Sequence, residues 1–245
     1  MSSREDWQRR LGPLYGGAVA LVHSSSWKWP TDVSGDARSP AWVVAVGVPV
    51  GVVAYLAAAL LRGLHLPITV AAVVGLAVLS LASAGLVERG VVDRIDDRLA
   101  GERAGAPSVA AILVLVFTVL VRAAAIWTVT PAHWLGVFLA TALAGRWAAV
   151  FPQAIGDPIL DDHAARSLVA APAAGLVTAT LGVLVAAACT FALGRAGLAA
   201  VALATAAAFA LGVDAQRRDN GLSAPVVAVA AALGALFVLL AASAV

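Results

Sequence analysis

The sequence predicts an all-α integral membrane protein: a polytopic bundle of about seven transmembrane helices, preceded by a short N-terminal interfacial helix. Of its 245 residues, 62% are hydrophobic and only 12% are charged, about half the charged fraction of an ordinary soluble domain. A helix needs about 20 apolar residues to cross a bilayer. Seven apolar segments reach or approach that length, at 41–61, 67–87, 107–127, 132–151, 168–190, 196–213 and 224–244.

The chain before the first span is predicted to form a cytoplasmic and interfacial segment, residues 1–40, ahead of one transmembrane domain, residues 41–245. The apolar stretch at 11–22 is too short to cross a bilayer comfortably, so it favours a helix that lies at the interface or re-enters the membrane. Charged residues crowd the first ten positions, with no apolar core directly after them. No cleavable signal peptide is therefore predicted.

The charge distribution predicts a cell-membrane protein with its N-terminus and longer loops in the cytoplasm. With seven spans, all but four of the sixteen Lys and Arg residues fall in segments on the N-terminal side of the membrane, and positive residues favour the cytoplasmic side. All fourteen Asp and Glu residues fall on that same side, which indicates that any chemistry takes place there. The alternative is that acids simply occupy the longer loops.

The basic residues fit a lipid surface or anionic phosphates, and no nucleic-acid-binding motif accompanies them. The single cysteine, Cys189, lies in a predicted span, and a lone cysteine excludes a disulfide framework and a cysteine metal site. The expected partners are therefore membrane lipid and a phosphorylated small molecule. No particular oligomeric state is predicted.

The main candidate site is the loop after the second span, where three aspartates alternate with arginines. If this segment is helical, Asp93, Asp96 and Asp97 share one face through their i+3 and i+4 spacing. Converging carboxylates repel one another unless a cation offsets them, and Mg²⁺ is held by one or two carboxylates together with substrate phosphate oxygens. Arg94 and Arg98 would bind further phosphate oxygens. The alternative is a solvated loop whose charges form internal ion pairs.

Two further groups of charged residues are candidate substrate ligands. Asp157 and Asp161 are four residues apart after the fourth span and would form a second acidic face, although Asp157 would equally serve as the N-cap of a helix that begins at Pro158. Arg217 and Arg218 precede the last span. They would bind the substrate or simply anchor the cytoplasmic boundary.

Two arginines lie within predicted spans, where charge is costly and usually functional. Arg146 lies about one and a half turns from the inner end of its helix, so its guanidinium would reach a phosphate bound at the cytoplasmic face. Arg122 lies near the outer end of its helix. Extension of the Arg122 side chain to the membrane interface is the favoured interpretation.

These residues resemble the cobalamin synthase family, the adenosylcobinamide-GDP ribazoletransferases. That family carries a motif H-x-D-G-x-A-D-x-x-D-G after an apolar hairpin, and here Gly90, Asp93 and Asp96 match it, while Arg89 stands at the first Asp and Val87 at the His. The family's arginine in the fourth helix is similar to Arg146. Its basic pair followed by G-G-x-T-G-D is similar to the segment 217–225, which ends in Pro225 where the family has Asp.

The resemblance implies transfer of a phospho-cobinamide group from a GDP-linked donor to α-ribazole or its 5′-phosphate, with Mg²⁺ and release of GMP. A weaker resemblance is to intramembrane aromatic prenyltransferases, whose first motif is N-D-x-x-D-x-x-x-D. Asp93 and Asp97 have the required spacing, and Asp157 and Asp161 are similar to the second motif of that family, although two helices that normally separate the motifs are missing here.

Three classes of function follow. The first is a Mg²⁺-dependent transferase that uses a diphosphate- or nucleotide-linked donor, with Asp93 and Asp96 as catalytic residues and Arg94 and Arg146 stabilising the developing charge. The second is a non-catalytic paralogue or scaffold, as Arg89 and the proline at the family's last acidic position indicate. The third is a transporter, which would carry acids or broken helices near mid-bilayer. No acid is predicted inside a span, which disfavours transport.

Overall fold

The computed structural model describes residues 3–28, 39–99, 107–159, 167–169 and 175–245, and their regular structure is helical. The isolated backbone bridge between Pro158 and Leu222 is the exception. The helices, in chain order, are α1 Ser3–Leu11, α2 Tyr15–Ser24, α3 Pro40–Ala45, α4 Gly47–Gly63, α5 Ile68–Ala82, α6 Leu86–Leu99, α7 Val109–Trp127, α8 Trp134–Val150, α9 Gly175–Asp219 and α10 Ala224–Ala242.

Several of these helices are long and apolar enough to cross a membrane. Five described stretches qualify, and the pair α5 and α6, bent by 75°, adds a sixth if it counts as one span. The five are Pro40–Gly63, Val109–Trp127, Pro131–Ala154, Gly175–Asp219 and Ala224–Ala242. An all-helical bundle of membrane-spanning character is thus the observed class.

Helix α9 is interrupted at Gly194. A straight helix of its 45 residues would be about 67 Å long, more than twice the roughly 30 Å hydrocarbon core. Gly194 has φ 60° and ψ −142°, a conformation that essentially only glycine adopts. Beyond it, Gly197 lies against the Cys189 carbonyl, whereas eight residues of straight helix would separate them by about 12 Å. The break falls within the predicted loop 191–195.

Helices α8 and α10 form the centre of the bundle. Helix α10 packs against α6, α8 and α9, and α8 also packs against α4. The two central helices approach closely because each presents a glycine to the other. A Cβ on Gly234 would lie 2.7 Å from the Ala144 carbonyl oxygen, and one on Gly145 would lie 3.1 Å from the Ala231 carbonyl oxygen. Small residues drive such packing in lipid, where apolar burial alone does not.

The predicted second span, 67–87, is not one continuous helix. Helix α5 ends at Ala82, and the chain turns through Ala84 and Gly85, both with positive φ, before α6 begins. Helix α6 then leaves at 75° and packs on α10, with Gly90 against Ala228. The turn therefore directs the first residues of α6 into the bundle.

The N-terminal segment forms two helices rather than one at 11–22. A 3₁₀ turn at Gly12–Leu14 separates α1 from α2, and α2 packs against α3. Tyr15 and Val19 of α2 are buried. The C-terminal end of α2 reaches the bundle interior, where Ser24 contacts α8. An interfacial position for this segment stays a prediction.

Candidate functional site

A small, partly open cavity lies within the bundle, and it is here called the polar cavity because charged residues border it, although most of its accessible lining is apolar. Its volume is about 50 Å³, enough for roughly three to five water-sized groups. Helices α4, α5, α6, α7, α8 and α10 contribute to its walls. The apolar lining comes mainly from Val50, Leu79, Val87 and Leu168, and the polar lining comes from Ser80, Ser83, Glu88, Arg122, Thr141 and Arg146.

An ion pair between Glu88 and Arg122 forms one wall of the polar cavity. The Arg122 Nη1 lies 3.2 Å from Glu88 Oε1, and Ser80 Oγ donates a hydrogen bond of 2.7 Å to that same oxygen. The Arg122 Nη2 donates to the Ala232 carbonyl at 3.1 Å. Because Ala232 is the ninth of the 19 residues of α10, the pair lies level with the middle of that helix.

Both members of this pair lie elsewhere than the sequence predicts. Extension of Arg122 to the membrane interface is wrong, because the residue is only 6% exposed and donates inward. An arginine in a helix points towards the N-terminal end, which here leads to Glu88. The prediction that no acid lies inside a span covers Glu88, the first acid after the second span. The turn before α6 places its carboxylate within the bundle instead.

Three buried polar atoms on residues that line the polar cavity have no hydrogen-bond partner among the described residues. They are Glu88 Oε2, Arg122 Nε and Thr141 Oγ1. Leaving such a group unsatisfied costs about 1–3 kcal/mol, and more when the group is charged. The three atoms are themselves buried, although the residues that carry them line the polar cavity.

Arg146 lines the same cavity and is 4% exposed. Its Nη1 donates to Ser24 Oγ at 2.8 Å and to the Val43 carbonyl at 3.3 Å, and its Nη2 donates to the Ser24 carbonyl at 2.8 Å. Arg146 thus caps the C-terminal end of α2, where carbonyls lack helical partners. All three acceptors are neutral, and no described carboxylate pairs with this guanidinium.

The three aspartates predicted to bind Mg²⁺ lie on α6 but have different surroundings. Asp93 lies 3.9 Å from Arg89 across one turn, and Asp97 is exposed. Asp96 Oδ1 accepts a 3.0 Å hydrogen bond from the backbone N–H of Ser108, the N-cap of α7. Within the described ranges, no three His, Cys, Asp or Glu side chains form a group able to hold a metal ion.

The arginines predicted to bind phosphate instead pair with aspartates at the end of α9. Arg94 Nη1 lies 2.7 Å from Asp219 Oδ2, a contact without the alignment of a hydrogen bond, and Arg98 Nη2 lies 2.6 Å from Asp214 Oδ2. Arg218 pairs with Asp214 at 2.7 Å. We call this group the α6–α9 ion-pair cluster. Its pairs join two helices, whereas the predicted alternative has pairs within the loop itself, as Arg89 and Asp93 form. The remaining arginine of the predicted set, Arg217, is exposed.

The second acidic group is only partly described. Asp157 is exposed, and its carbonyl accepts a 2.8 Å hydrogen bond from the Leu222 N–H. Pro158 and Ile159 lie opposite Leu222 in extended conformation, so Asp157 does not cap a helix that starts at Pro158. Asp161 lies outside the described residues.

Sequence reasoning missed the polar cavity although a signal was present. A charged side chain inside an apolar span needs a partner, and Arg122 has no acid within its own span. Glu88 is the first acid after the second span, and the turn residues Ser83, Ala84 and Gly85 precede it. Together these features would have predicted the pair.

Comparison of the chain with protein-family models, with curated proteins and with solved structures finds no match. The two family resemblances therefore rest on the residues quoted for them, and they stay predictions.

Proposed function

We propose that the protein is a membrane-embedded transferase that uses a diphosphate-linked donor at the cytoplasmic face. The observation that carries the proposal is the position of Asp93 and Asp97, which lie one turn apart on α6, so that their side chains are neighbours. The Asp93 side chain is 39% exposed, and Asp97 is exposed as well. A donor in solution or at the membrane surface has access to both carboxylates.

Two carboxylates are sufficient for Mg²⁺, which keeps water ligands and takes the rest of its shell from substrate phosphates. Asp93 and Asp97 would hold the ion. When bound, Mg²⁺ would neutralise charge on the donor diphosphate. Asp96 is engaged with the N-terminus of α7, so we assign it to positioning α6 against α7 rather than to the metal.

The proposed topology places these carboxylates at the inner boundary of seven spans. Five described stretches qualify as spans, the bent pair α5 and α6 adds one, and the break at Gly194 divides α9 into two. The N-terminus and the longer loops then lie in the cytoplasm, in keeping with the positive residues they carry. Phospho-cobinamide transfer from a GDP-linked donor is the favoured reaction, and prenyl transfer to an aromatic acceptor is the alternative.

A turnover assay on the purified protein tests this proposal. The protein in detergent is supplied with GDP-cobinamide and α-ribazole, or with a prenyl diphosphate and an aromatic acceptor, with and without Mg²⁺. Release of GMP identifies the first reaction, and release of pyrophosphate identifies the second. Asp93→Asn is expected to abolish Mg²⁺-dependent release, while Asp6→Asn, a matched change at a surface ion pair of α1, leaves it unchanged. Full activity of Asp93→Asn would refute the mechanism.

A second candidate, a non-catalytic membrane paralogue or scaffold, is favoured by the α6–α9 ion-pair cluster. Arg94 and Arg98 already pair with Asp214 and Asp219, so a donor phosphate would have to displace carboxylates to bind them. Arg89 also stands where the resembled motif has an acid. Absence of both products from folded protein, with all substrates and Mg²⁺ present, would favour this candidate.

A further inference from the structure

The end of α9 carries more positive than negative charge. In the α6–α9 ion-pair cluster, three arginines share two aspartates. Asp214 lies 2.6 Å from Arg98, 2.7 Å from Arg218 and 3.9 Å from Arg94. Arg217, the residue before Arg218, is exposed and adds a further positive charge. Four arginines therefore stand against two aspartates at this end of the helix.

The other aspartates of α6 lie on a different side of that helix. Asp93 and Asp97 each precede an arginine of the cluster by one residue, which places them about 100° away around the helix axis. Asp96 accepts a hydrogen bond from the backbone N–H of Ser108 at the start of α7. The excess positive charge thus belongs to the side of α6 and α9 that the cluster occupies.

The position of Arg217 and Arg218 along α9 matches the depth of lipid phosphates. The eighteen residues between Arg195 and Asp214 carry no charge. As a helix they extend about 27 Å, close to the roughly 30 Å of the hydrocarbon core. Arg217 and Arg218 follow Asp214 by three and four residues, about 4.5–6 Å further along the axis. The headgroup region adds roughly 5–7 Å on each side of the core, so both arginines lie at its level.

An exposed apolar stripe of α9 leads to these arginines. Leu203, Ala210 and Arg217 are seven residues apart, so they follow one another along the helix with a drift of only about 20° per step. All three are exposed, Leu203 by 55%. Phe209, which borders the stripe, is 51% exposed. Arg217 therefore ends an apolar stripe along which a hydrocarbon chain can lie.

Arg218 has donors that its ion pair does not use. It contacts Asp214 through Nε, and a guanidinium group carries five N–H donors, so the two Nη groups are available to a ligand. The Arg218 side chain is 66% exposed. Arginine binds phosphate oxygens through paired hydrogen bonds. A headgroup phosphate can therefore bind Arg218 without displacing Asp214.

We propose that the end of α9 binds an anionic phospholipid. Its phosphate would accept hydrogen bonds from Arg217 and Arg218, and one acyl chain would lie along the stripe that contains Leu203 and Ala210. An anionic headgroup is preferred to a zwitterionic one, because the ammonium group of the latter would meet the excess positive charge of the cluster. The site does not involve the proposed Mg²⁺ ligands Asp93 and Asp97.

Titration of phosphatidylglycerol into the purified full chain in neutral detergent, followed by native mass spectrometry, measures binding of the first lipid. It should bind more tightly than phosphatidylcholine with the same acyl chains. Arg217→Gln/Arg218→Gln should weaken phosphatidylglycerol binding roughly thirtyfold. Arg62→Gln/Arg195→Gln is the matched control, because it also removes two exposed arginines, at the other predicted boundary. It should leave the affinity unchanged.

Two further measurements separate charge, fold and apolar contact. Arg217→Lys/Arg218→Lys keeps both charges and should retain most of the affinity, which excludes misfolding as the cause of the loss in the glutamine variant. Glycerophosphoglycerol, the same headgroup without acyl chains, should not displace the lipid at an equal concentration, because it makes no contact with the apolar stripe.

Three results would overturn the proposed lipid site. The first is equal binding of phosphatidylglycerol and phosphatidylcholine. The second is an unchanged affinity in Arg217→Gln/Arg218→Gln, which would place the lipid elsewhere. The third is an equal loss in Arg62→Gln/Arg195→Gln, which would indicate general attraction to a positive protein. Asp93→Asn should bind phosphatidylglycerol as the unmodified protein does, so failure of the transferase proposal and failure of this one are distinguishable.

Discussion

Replacement of Arg122 by methionine should destabilise the protein strongly, because it leaves Glu88 without its counter-charge. The variant loses the 3.2 Å ion pair and the hydrogen bond to the Ala232 carbonyl. Glu88 already has one buried oxygen without a partner, and only the Ser80 hydroxyl would still donate to the other. Removing one partner of a buried pair costs about 3–5 kcal/mol, and we expect the upper half of that range.

The double variant Glu88→Met/Arg122→Met separates this cost from lost packing. Apolar replacement of both partners is often neutral, and Ser80 can turn its hydroxyl to the carbonyl four residues earlier in α5. We therefore expect the double variant to be more stable than Arg122→Met alone, by about 2 kcal/mol or more. Arg195→Met, at an exposed residue beyond the α9 break, should change stability by less than about 0.5 kcal/mol.

Reversible unfolding in mixed detergent micelles, followed by circular dichroism, measures these three variants together with Glu88→Met alone. An Arg122→Met variant within about 1 kcal/mol of the unmodified protein would refute the buried pair. A double variant as unstable as the sum of its single changes would refute the coupling between the two residues.

Two further predictions concern packing and the ion pairs at the end of α9. Gly234→Ala should lower the free energy of unfolding by about 1–3 kcal/mol, because its Cβ would lie 2.7 Å from the Ala144 carbonyl oxygen. Gly63→Ala should leave that free energy unchanged, because its Cβ would meet no atom within 4 Å. Thermal unfolding compares the two variants. Arg94→Ala, at a side chain 11% exposed, should cost about 1–2 kcal/mol. Arg218→Ala, 66% exposed, should cost below about 0.5 kcal/mol in the same assay.

The class of fold and most helix positions follow from hydrophobicity alone. The span predicted at 224–244 corresponds to α10, and that at 107–127 corresponds to α7, because an uncharged run of about 20 residues has few stable alternatives to a helix in lipid. The predicted loop at 191–195 contains the observed break. These features depend only on how many apolar residues a segment contains, and that number can be counted directly in the sequence.

The interior site is harder to predict because it depends on a change of direction. Extending the second span to residue 87 continues an apolar run through Ser83, Ala84 and Gly85, and hydropathy does not distinguish a straight helix from one that turns by 75°. The packing of α6 on α10 determines that the chain turns here instead of continuing as a straight helix. Because the chain turns, Glu88 lies within the bundle. Arg122 then has a buried partner and does not extend to the membrane interface.

The aspartates and arginines of α6 show why a helix rich in charged residues is a poor guide to a ligand-binding site. Arg94 and Arg98 repeat at i+4 and so share one side of α6, and the end of α9 presents Asp214 and Asp219 to that same side. Oppositely charged groups on packed helices satisfy one another unless the fold keeps them apart. Arg146 differs, because its buried guanidinium is bonded only to neutral acceptors of Ser24 and Val43. A run of charged residues on one helix therefore indicates a packed helix of opposite charge as readily as it indicates a bound ligand.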